Sequence, residues 1–417
     1  MEQQIIYKIK GDDVAIISPS NHLWYFTNQQ GLRVYQNKKV SFDQLSEREN
    51  LSKEDIATFI REVDDILFSE SEWSETMKGG SIHLTNRCNL SCDYCRYACS
   101  EDTKGTVIAE DICWYIKQLA EEGAEVLTVT GGEPTLRWDL LKIIIKLASQ
   151  CGIHVNILTN GKNGFTSDQL KLLSNHQVYV QVSMDSLDNK INLETRKIES
   201  KPIQKTIEVL VNHNIKCNVS MVLSRLNYTE VDLMINWCLN NNVGLHFALL
   251  ERGGRASQKW KKLSLSDKEL KSVFDNALNI WINKQVPEGF FAEFEMIKQK
   301  IIYPHFMKSC NAGINNICLA PESLIYPCSN FVGNSTMIIG RVNETITSIK
   351  NKFQKKHAFD YLQIEKCKNC DFGWICCGGC RDRIILSGEG ADPYCEVLKY
   401  IHEKIFWNTL IEIEGGD

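Results

Sequence analysis

Three cysteines in one short loop constrain this chain more than any other feature. In Cys88-Asn-Leu-Ser-Cys92-Asp-Tyr94-Cys95 the thiols follow one another at intervals of four and three, close enough to grip one soft metal centre. Thiolates favour iron–sulfur clusters, zinc and copper(I) over hard cations. A cube of four irons takes four ligands, and this loop supplies three. An iron without a thiolate is open to a small molecule, which turns the cluster from a wire into a reagent. Cys99 follows after three more residues. A closed four-cysteine cluster that only carries electrons and a zinc knuckle are therefore the competing readings of the loop alone.

Composition narrows the setting. At 417 residues the chain has length for two or three domains with substantial cores. Hydrophobic and charged fractions of 43% and 24% are those of a globular protein. The net charge of −5 gives no reason to expect nucleic acid. No apolar run approaches the ~20 residues of a membrane span, and Met1-Glu-Gln-Gln does not read as a signal peptide. The 17 cysteines are thus expected in a reducing cytoplasm, where clustered thiols mean metal before they mean disulfides.

The expected fold is α/β. Residues 1–75 read as short strands (Ile5–Ile9, Val14–Ser18, Leu23–Phe26) followed by a helix-like segment at Phe42–Ser46. Ser52 then sits where an N-cap belongs, with Asp55 three residues on. Ile56, Phe59, Ile60, Val63, Ile66 and Leu67 follow at helical spacing. From 78 to 255, strand-like runs at Ser81–Thr85, Val126–Thr130, Val155–Thr159, Val178–Met184, Lys216–Val222 and Val243–Leu250 alternate with helical ones. Six such units predict a parallel sheet curled into a partial (β/α)6 barrel, whose chemistry collects at the C-terminal ends of its strands. Residues 256–300 read as a helical bridge, and 301–417 as a small cysteine-rich domain.

Distinctive residues fall at those strand ends. Gly131-Gly132-Glu133-Pro134 follows the second strand; its glycines let backbone approach a ligand closely, and its carboxylate is suited to an ammonium group. Thr159-Asn160-Gly161 ends the third strand, and Ser183-Met-Asp185 the fourth, with Arg196 beyond. Together with the cysteine loop, in which the aromatic Tyr94 precedes the last thiol, these motifs resemble the radical S-adenosylmethionine (SAM) superfamily. The resemblance implies a 4Fe–4S cluster on Cys88, Cys92 and Cys95, whose open iron chelates SAM. It implies that the Gly131–Pro134 turn holds the methionyl amino group, and that Ser183 and Arg196 hold its carboxylate. Asp185 would lie near the ribose, and Tyr94 and Asn160 would line the cofactor pocket. A solvated helix-end arginine is the other reading of Arg196. Arg252-Gly-Gly-Arg255-Ala256 resembles the family's glycine–arginine–alanine turn.

Cysteines return in number after residue 300. Cys310 and Cys328 precede Cys367-x2-Cys370-x5-Cys376-x3-Cys380, and Cys395 follows fifteen residues on. This pattern resembles the SPASM extension, which implies two auxiliary 4Fe–4S clusters and so three in all. Cys310, Cys328 and Cys380 would serve the nearer one; Cys367, Cys370, Cys376 and Cys395 the farther. Cys318 is a candidate fourth ligand of the nearer cluster and equally an ordinary strand residue. Cys377 reads as a spare thiol, and Ser323 departs from the family's usual glycine. Cys113, Cys151, Cys217 and Cys238 read as buried, inert thiols.

The resemblance implies an enzyme that splits SAM to a 5′-deoxyadenosyl radical, with a flavodoxin- or ferredoxin-type reductant supplying the electron. Strands ahead of amphipathic helices at 1–75 look like a winged-helix module, and before such a core they resemble a peptide-recognition element that binds a leader by adding a strand to its sheet. A structural cap on the barrel is the plainer reading. The expected substrate is a ribosomally made precursor peptide with a leader, receiving a thioether or carbon–carbon crosslink. A formylglycine-forming maturase, a multi-cluster electron carrier and a binding partner without chemistry are the alternatives.

Overall fold

The computed structural model describes residues 5–19, 21, 23–69, 77–303, 310, 312–356 and 360–414. The boundary expected near residue 75 lies outside them. Strands β1 (Ile6–Lys10), β2 (Asp13–Ser18) and β3 (Leu23–Asn28) form an antiparallel sheet in that order. Helices α1 (Gln29–Gln36), α2 (Phe42–Glu49) and α3 (Lys53–Leu67) follow. Alternation along β2 decides what each face meets. Val14 and Ile16 pack against Leu32 and Tyr35 of α1 and Val63 and Leu67 of α3. Ala15 and Ile17, with Trp24 and Phe26 beside them, join the core of the main body. Both faces of this small sheet are therefore covered. Ser52 caps α3 as its position predicts, accepting from the Asp55 amide at 3.0 Å. The sequence pattern does not reveal α1, because Gly31 and a run of glutamines hide its periodicity.

Six parallel strands form the centre: β4 (Gly79–His83), β5 (Val126–Thr130), β6 (His154–Thr159), β7 (Tyr179–Ser183), β8 (Cys217–Val222) and β9 (Gly244–Ala248). Helices α4 (Ala109–Glu121), α5 (Trp138–Gln150), α6 (Ser167–Asn175), α7 (Asn189–Arg196), α8 (Ser200–Asn212) and α9 (Val231–Asn240) connect them. The strands interlock through residues such as Leu127, Val129, Ile157, Val180 and Val219, all fully buried. Residues from β5 through β9 line one cavity, so the sheet curls around it.

The bridge holds α10 (Gly254–Leu263), α11 (Asp267–Ile282) and α12 (Ala292–Ile302). The start of α12 closes the free edge of β9, since the Leu245 amide donates to Phe290 O at 2.8 Å and the Phe247 amide to the Glu293 carboxylate at 2.9 Å. On the opposite side, β10 (Asn316–Ala320) pairs parallel with β4, and β11 (Leu324–Tyr326) and β12 (Gly340–Arg341) extend the sheet to nine strands. This continuity has no local signal in the sequence. The turn between β10 and β11 puts Glu322 and Ser323 in the left-handed region, at φ 67° and 58°. That explains why glycine suits position 323; here the serine hydroxyl is held by Asp111 at 2.7 Å. The chain ends with α13 (Ile346–Lys356), short helices α14 (Glu365–Lys368), α15 (Gly373–Cys376) and α16 (Arg381–Ser387), and the long α17 (Cys395–Glu414). Among the described residues no helix is long and apolar enough to cross a membrane.

Candidate active site

The loop leaving β4 carries the three cysteines, and the turn after β5 clamps its stem. The Gly132 amide donates to Thr85 O at 2.6 Å and the Glu133 amide to Arg87 O at 2.9 Å. A Cβ on Gly132 would stand 2.2 Å from Arg87 O, so this approach is open only to glycine. From the other side Arg255 donates to Cys92 O at 2.7 Å and Cys99 O at 3.0 Å. Gly254, at φ 48°, brings its backbone so near that a Cβ would lie 2.5 Å from Cys95 O. The loop is thus held by backbone contacts from two distant turns.

Cys88, Cys92 and Cys95 line a cavity of about 670 Å³ at the C-terminal ends of the strands, within the size range of small-molecule sites. Tyr94, Gly131, Gly132, Glu133, Asn160, Ser183 and Arg196 line it too. Pro134 and Asp185 stand behind it. The Glu133 carboxylate, though at the wall, is turned to its own chain. It accepts from Thr159 Oγ1 at 2.7 Å, Asn160 N at 2.7 Å, and Thr135 Oγ1 and N at 2.7 and 3.1 Å. Burial raises its pKa against those bonds. Glu133 therefore fixes the turn, and the turn's backbone is what remains for an ammonium group.

Asp185 is committed as well. It accepts from the Tyr94 hydroxyl at 2.5 Å and the Val222 amide at 3.2 Å, and lies 3.7 Å from Arg196. Arg196 is 5% exposed, which rules against the solvated-arginine reading. Asn160 links β6 to the loop, donating to Asn89 at 2.8 Å and approaching Cys88 Sγ at 3.9 Å.

Cys99 meets the loop as a neighbour of Cys95. Their hydrogen bond draws Cys95 down to about 6, against burial, with Arg255 adding to the effect. The same bond, then burial, pushes Cys99 up. Burial pushes Cys92 up to about 11, with Arg196 opposing.

In the C-terminal region Cys367, Cys370, Cys376 and Cys395 line one small cavity. Cys380 is not among them. Cys328, raised by burial, feels Cys310, Cys380 and Cys318 as charged neighbours. Cys318 is fully buried on β10, paired in register with Tyr326 and Ser81. Cys377 caps α15 at φ 55° and is buried. Cys217 and Cys238 are buried as expected, whereas Cys113 and Cys151 are only half-buried.

Sequence reasoning missed Arg96. It follows Cys95, reaches Glu251 at 2.5 Å, and bonds Asp382 and Asn330 O. Asn330 and Asp382 lie two residues beyond Cys328 and Cys380, so one side chain ties the first cysteine loop to the second cysteine region. An arginine directly after a loop cysteine is the only hint the sequence offers.

Comparison with known proteins bears on the whole arrangement. Residues 82–238 match the Radical SAM superfamily. GTP 3′,8-cyclase of Psychromonas ingrahamii is 31% identical over 271 residues, covering 58% of this chain and 76% of the cyclase. This chain belongs to the radical SAM superfamily. The sporulation killing factor maturation protein SkfB of Bacillus subtilis is 30% identical over 196 residues, 46% of this chain; the match spans only 47% of SkfB. PqqA peptide cyclase of Bradyrhizobium diazoefficiens is 24% identical over 371 residues, 80% of this chain and 90% of the cyclase. Among solved structures, anSMEcpe with bound AdoMet and Cp18Cys peptide aligns with a TM-score of 0.66 at 20% identity, over 82% of this chain and 99% of that one. Streptococcus suis SuiB bound to precursor peptide SuiA aligns at 0.60 and 14%, over 95% and 99%. These two likenesses establish a shared fold.

Radical SAM enzymes use a 4Fe–4S cluster and SAM. The first site suits such a pair. Three thiols, those of Cys88, Cys92 and Cys95, face a common cavity, and thiolates are the donors a 4Fe–4S cluster takes.

Proposed function

We propose that this radical SAM enzyme is a peptide maturase that crosslinks a ribosomally made precursor through a thioether or carbon–carbon bond. Cys88, Cys92 and Cys95 would hold the catalytic cluster, leaving one iron for SAM. Bound there, the pair supplies one-electron cleavage to a 5′-deoxyadenosyl radical. The chain's own part is position. The Gly131–Gly132 backbone would receive the methionyl ammonium, with Glu133 bracing the turn from behind. Ser183 and Arg196 would face the carboxylate, and the Tyr94–Asp185 pair would fix the guanidinium. Cys99, as a donor to Cys95, would leave the fourth iron free. Cys367, Cys370, Cys376 and Cys395 would hold the farther auxiliary cluster and Cys310, Cys328 and Cys380 the nearer one, with Cys318 as a candidate fourth ligand. A flavodoxin- or ferredoxin-type protein in a reducing cytoplasm would be the electron source.

The observation carrying the peptide reading is the N-terminal sheet. Both of its faces are packed, so its outer strands offer edges, the surface by which an extended leader adds as a further strand. The names of SkfB, PqqA peptide cyclase and peptide-bound SuiB support the same reading. Likeness to anSMEcpe favours formylglycine formation as the second reading, although that match leaves out part of this chain.

Anaerobic reconstitution should give about twelve irons per chain, the content of three Cys-ligated cubes. Incubation with a short precursor peptide, sought among the neighbouring genes, should then remove two hydrogen atoms per crosslink, read by mass spectrometry. Conversion of a sulfatase-type peptide, with the neighbouring peptide left intact, would establish the second reading instead.

A further inference from the structure

The bore of the barrel holds two voids. The upper, of about 670 Å³, contains the cysteine loop. The lower, of about 660 Å³, lies at the N-terminal ends of the strands, beside His154, Tyr179 and Lys216. Gln181, His246, Glu293 and Met296 line both. The crossing between the reaction cavity and the lower void therefore contains one histidine and one carboxylate.

His246 sits in the middle of β9 on the inward side of its alternation. Its neighbours Leu245 and Phe247 are 1% and 4% exposed, yet the His246 side chain keeps 35%. Solvent reaches it through the bore. Register pairs His246 with Ser220, and Ser220 with Ser183. At about 4.8 Å per strand, the imidazole stands two strands from the serine that faces SAM in the reading above.

The ring is oriented from behind. Nδ1 lies 3.3 Å from Glu293 Oε2, while Oε1 takes the Phe247 amide at 2.9 Å. The carboxylate is thus pinned by backbone, and α12 delivers it. A ring that donates Nδ1–H to a carboxylate presents Nε2 as the basic nitrogen. Burial opposes charging this ring, but the bond to Glu293 outweighs it and raises the pKa above the ordinary histidine value.

We propose that His246, oriented by Glu293, accepts the proton of a peptide cysteine thiol and passes it to water in the lower void. The inference rests on the peptide-maturase reading and narrows its substrate to a thiol. A thiol titrates near 8.5 and an imidazole near 6.5, so transfer between them is close to balanced, whereas an alcohol or amide lies far above. The step is proton transfer alone. The S–H bond breaks, its electron pair stays on sulfur, and the proton bonds Nε2; no electron enters or leaves. Negative Glu293 then faces the imidazolium, and water beside it in the lower void takes the proton onward.

Two measurements test this. With perdeuterated precursor peptide, reconstituted His246→Ala should still place deuterium in 5′-deoxyadenosine, while crosslinked product per 5′-deoxyadenosine falls on the order of 100-fold. Added imidazole should restore part of it, and Glu293→Gln should fall between variant and parent. Product per 5′-deoxyadenosine equal to the parent's in His246→Ala would overturn the proposal while leaving the peptide reading intact. A parent enzyme that modifies no peptide overturns the peptide reading and the thiol with it; the second measurement then tests the solvent connection of His246 alone. Diethyl pyrocarbonate applied to the holoenzyme, with mass-spectrometric mapping, should modify His246 at a rate comparable with exposed His154. A His246 that stays unmodified while His154 reacts overturns the solvent-connected route whatever the substrate.

Discussion

The carboxylate of Asp185 and the guanidinium of Arg196 stand 3.7 Å apart, with the Tyr94 hydroxyl 2.5 Å from each. Tyr94 belongs to the cysteine loop, Asp185 to the end of β7 and Arg196 to the end of α7. One buried polar triad therefore joins the cysteine loop to the sheet and to a helix. Asn227 extends it by donating to Asp185 O at 2.9 Å.

Removing the acid leaves Arg196 buried without its counter-charge. Loss of one partner of a buried pair costs roughly 3–5 kcal/mol. Asp185→Ala should lower the urea midpoint accordingly and weaken SAM binding measured by calorimetry. Asp185→Asn keeps the hydroxyl contact and should lose less on both counts. Equal SAM affinity in all three proteins would remove Arg196 from the binding site.

Gly254 offers a test of how the loop is held. A methyl there would stand 2.3 Å from Arg96 O, and its φ of 48° disfavours any side chain. Gly254→Ala must push the loop away from the α10 turn. Iron per chain should fall by about four, one cube's content, while any iron that the C-terminal cysteines hold stays. An unchanged iron count would mean that the loop tolerates displacement.

Much of this was legible beforehand for a physical reason. Parallel strands covered on both faces read as apolar runs, so β5 falls on its expected residues and the other central strands within two. Metal-binding thiols must also sit at short, fixed intervals. What stayed hidden depends on contacts distant in sequence. Pairing of β10 with β4 spans more than 230 residues and leaves no periodic trace. Glu133 looks like a ligand-facing acid until Thr159 and the Asn160 amide claim it. Nothing in Gly-Leu-His246-Phe-Ala foretells that Glu293 will arrive behind the ring.

Two buried histidines set the acid limit of the fold. Burial lowers His402 and His83 to about 4, against about 6.5 in an unfolded chain. Between those values the unfolded state binds more protons, so stability rises with pH there. Their contribution is complete above pH 6.5 and is lost as pH falls toward 4, about 3 kcal/mol for each. His402→Asn lacks one of them. Urea midpoints taken from pH 7 to pH 5 should shift in the variant's favour relative to the parent; parallel curves would count against a buried neutral His402.

Trp24 anchors the N-terminal sheet on the main body, beside Ala15, Ile17 and Phe26, with polar help. Trp24 donates its indole N–H to Ile301 O at 2.9 Å and meets Phe406 edge-on, with centroids 6.4 Å apart. Lys8 pairs with Asp371 and lies 5.0 Å above Phe372. Simple deletion of residues 1–76 would bare this apolar surface and confuse insolubility with lost recognition. Trp24→Ala is the cleaner change, since the module keeps its own core of Val14, Ile16, Tyr35, Val63 and Leu67. Truncating a fully buried tryptophan costs about 3–5 kcal/mol; half-buried Trp24 costs less, enough to loosen the docking without unfolding either part. Protease cleavage between α3 and β4 should then accelerate, while iron content and uncoupled SAM cleavage persist. If the module is the recognition element, the precursor peptide should still bind with parental affinity, because its strand edges are untouched. Turnover should nevertheless drop, because the bound leader no longer sits at a fixed distance from the cysteine loop. A cap without recognition gives the opposite pattern: turnover would track iron content, and the peptide would bind equally well to a chain beginning at Lys78.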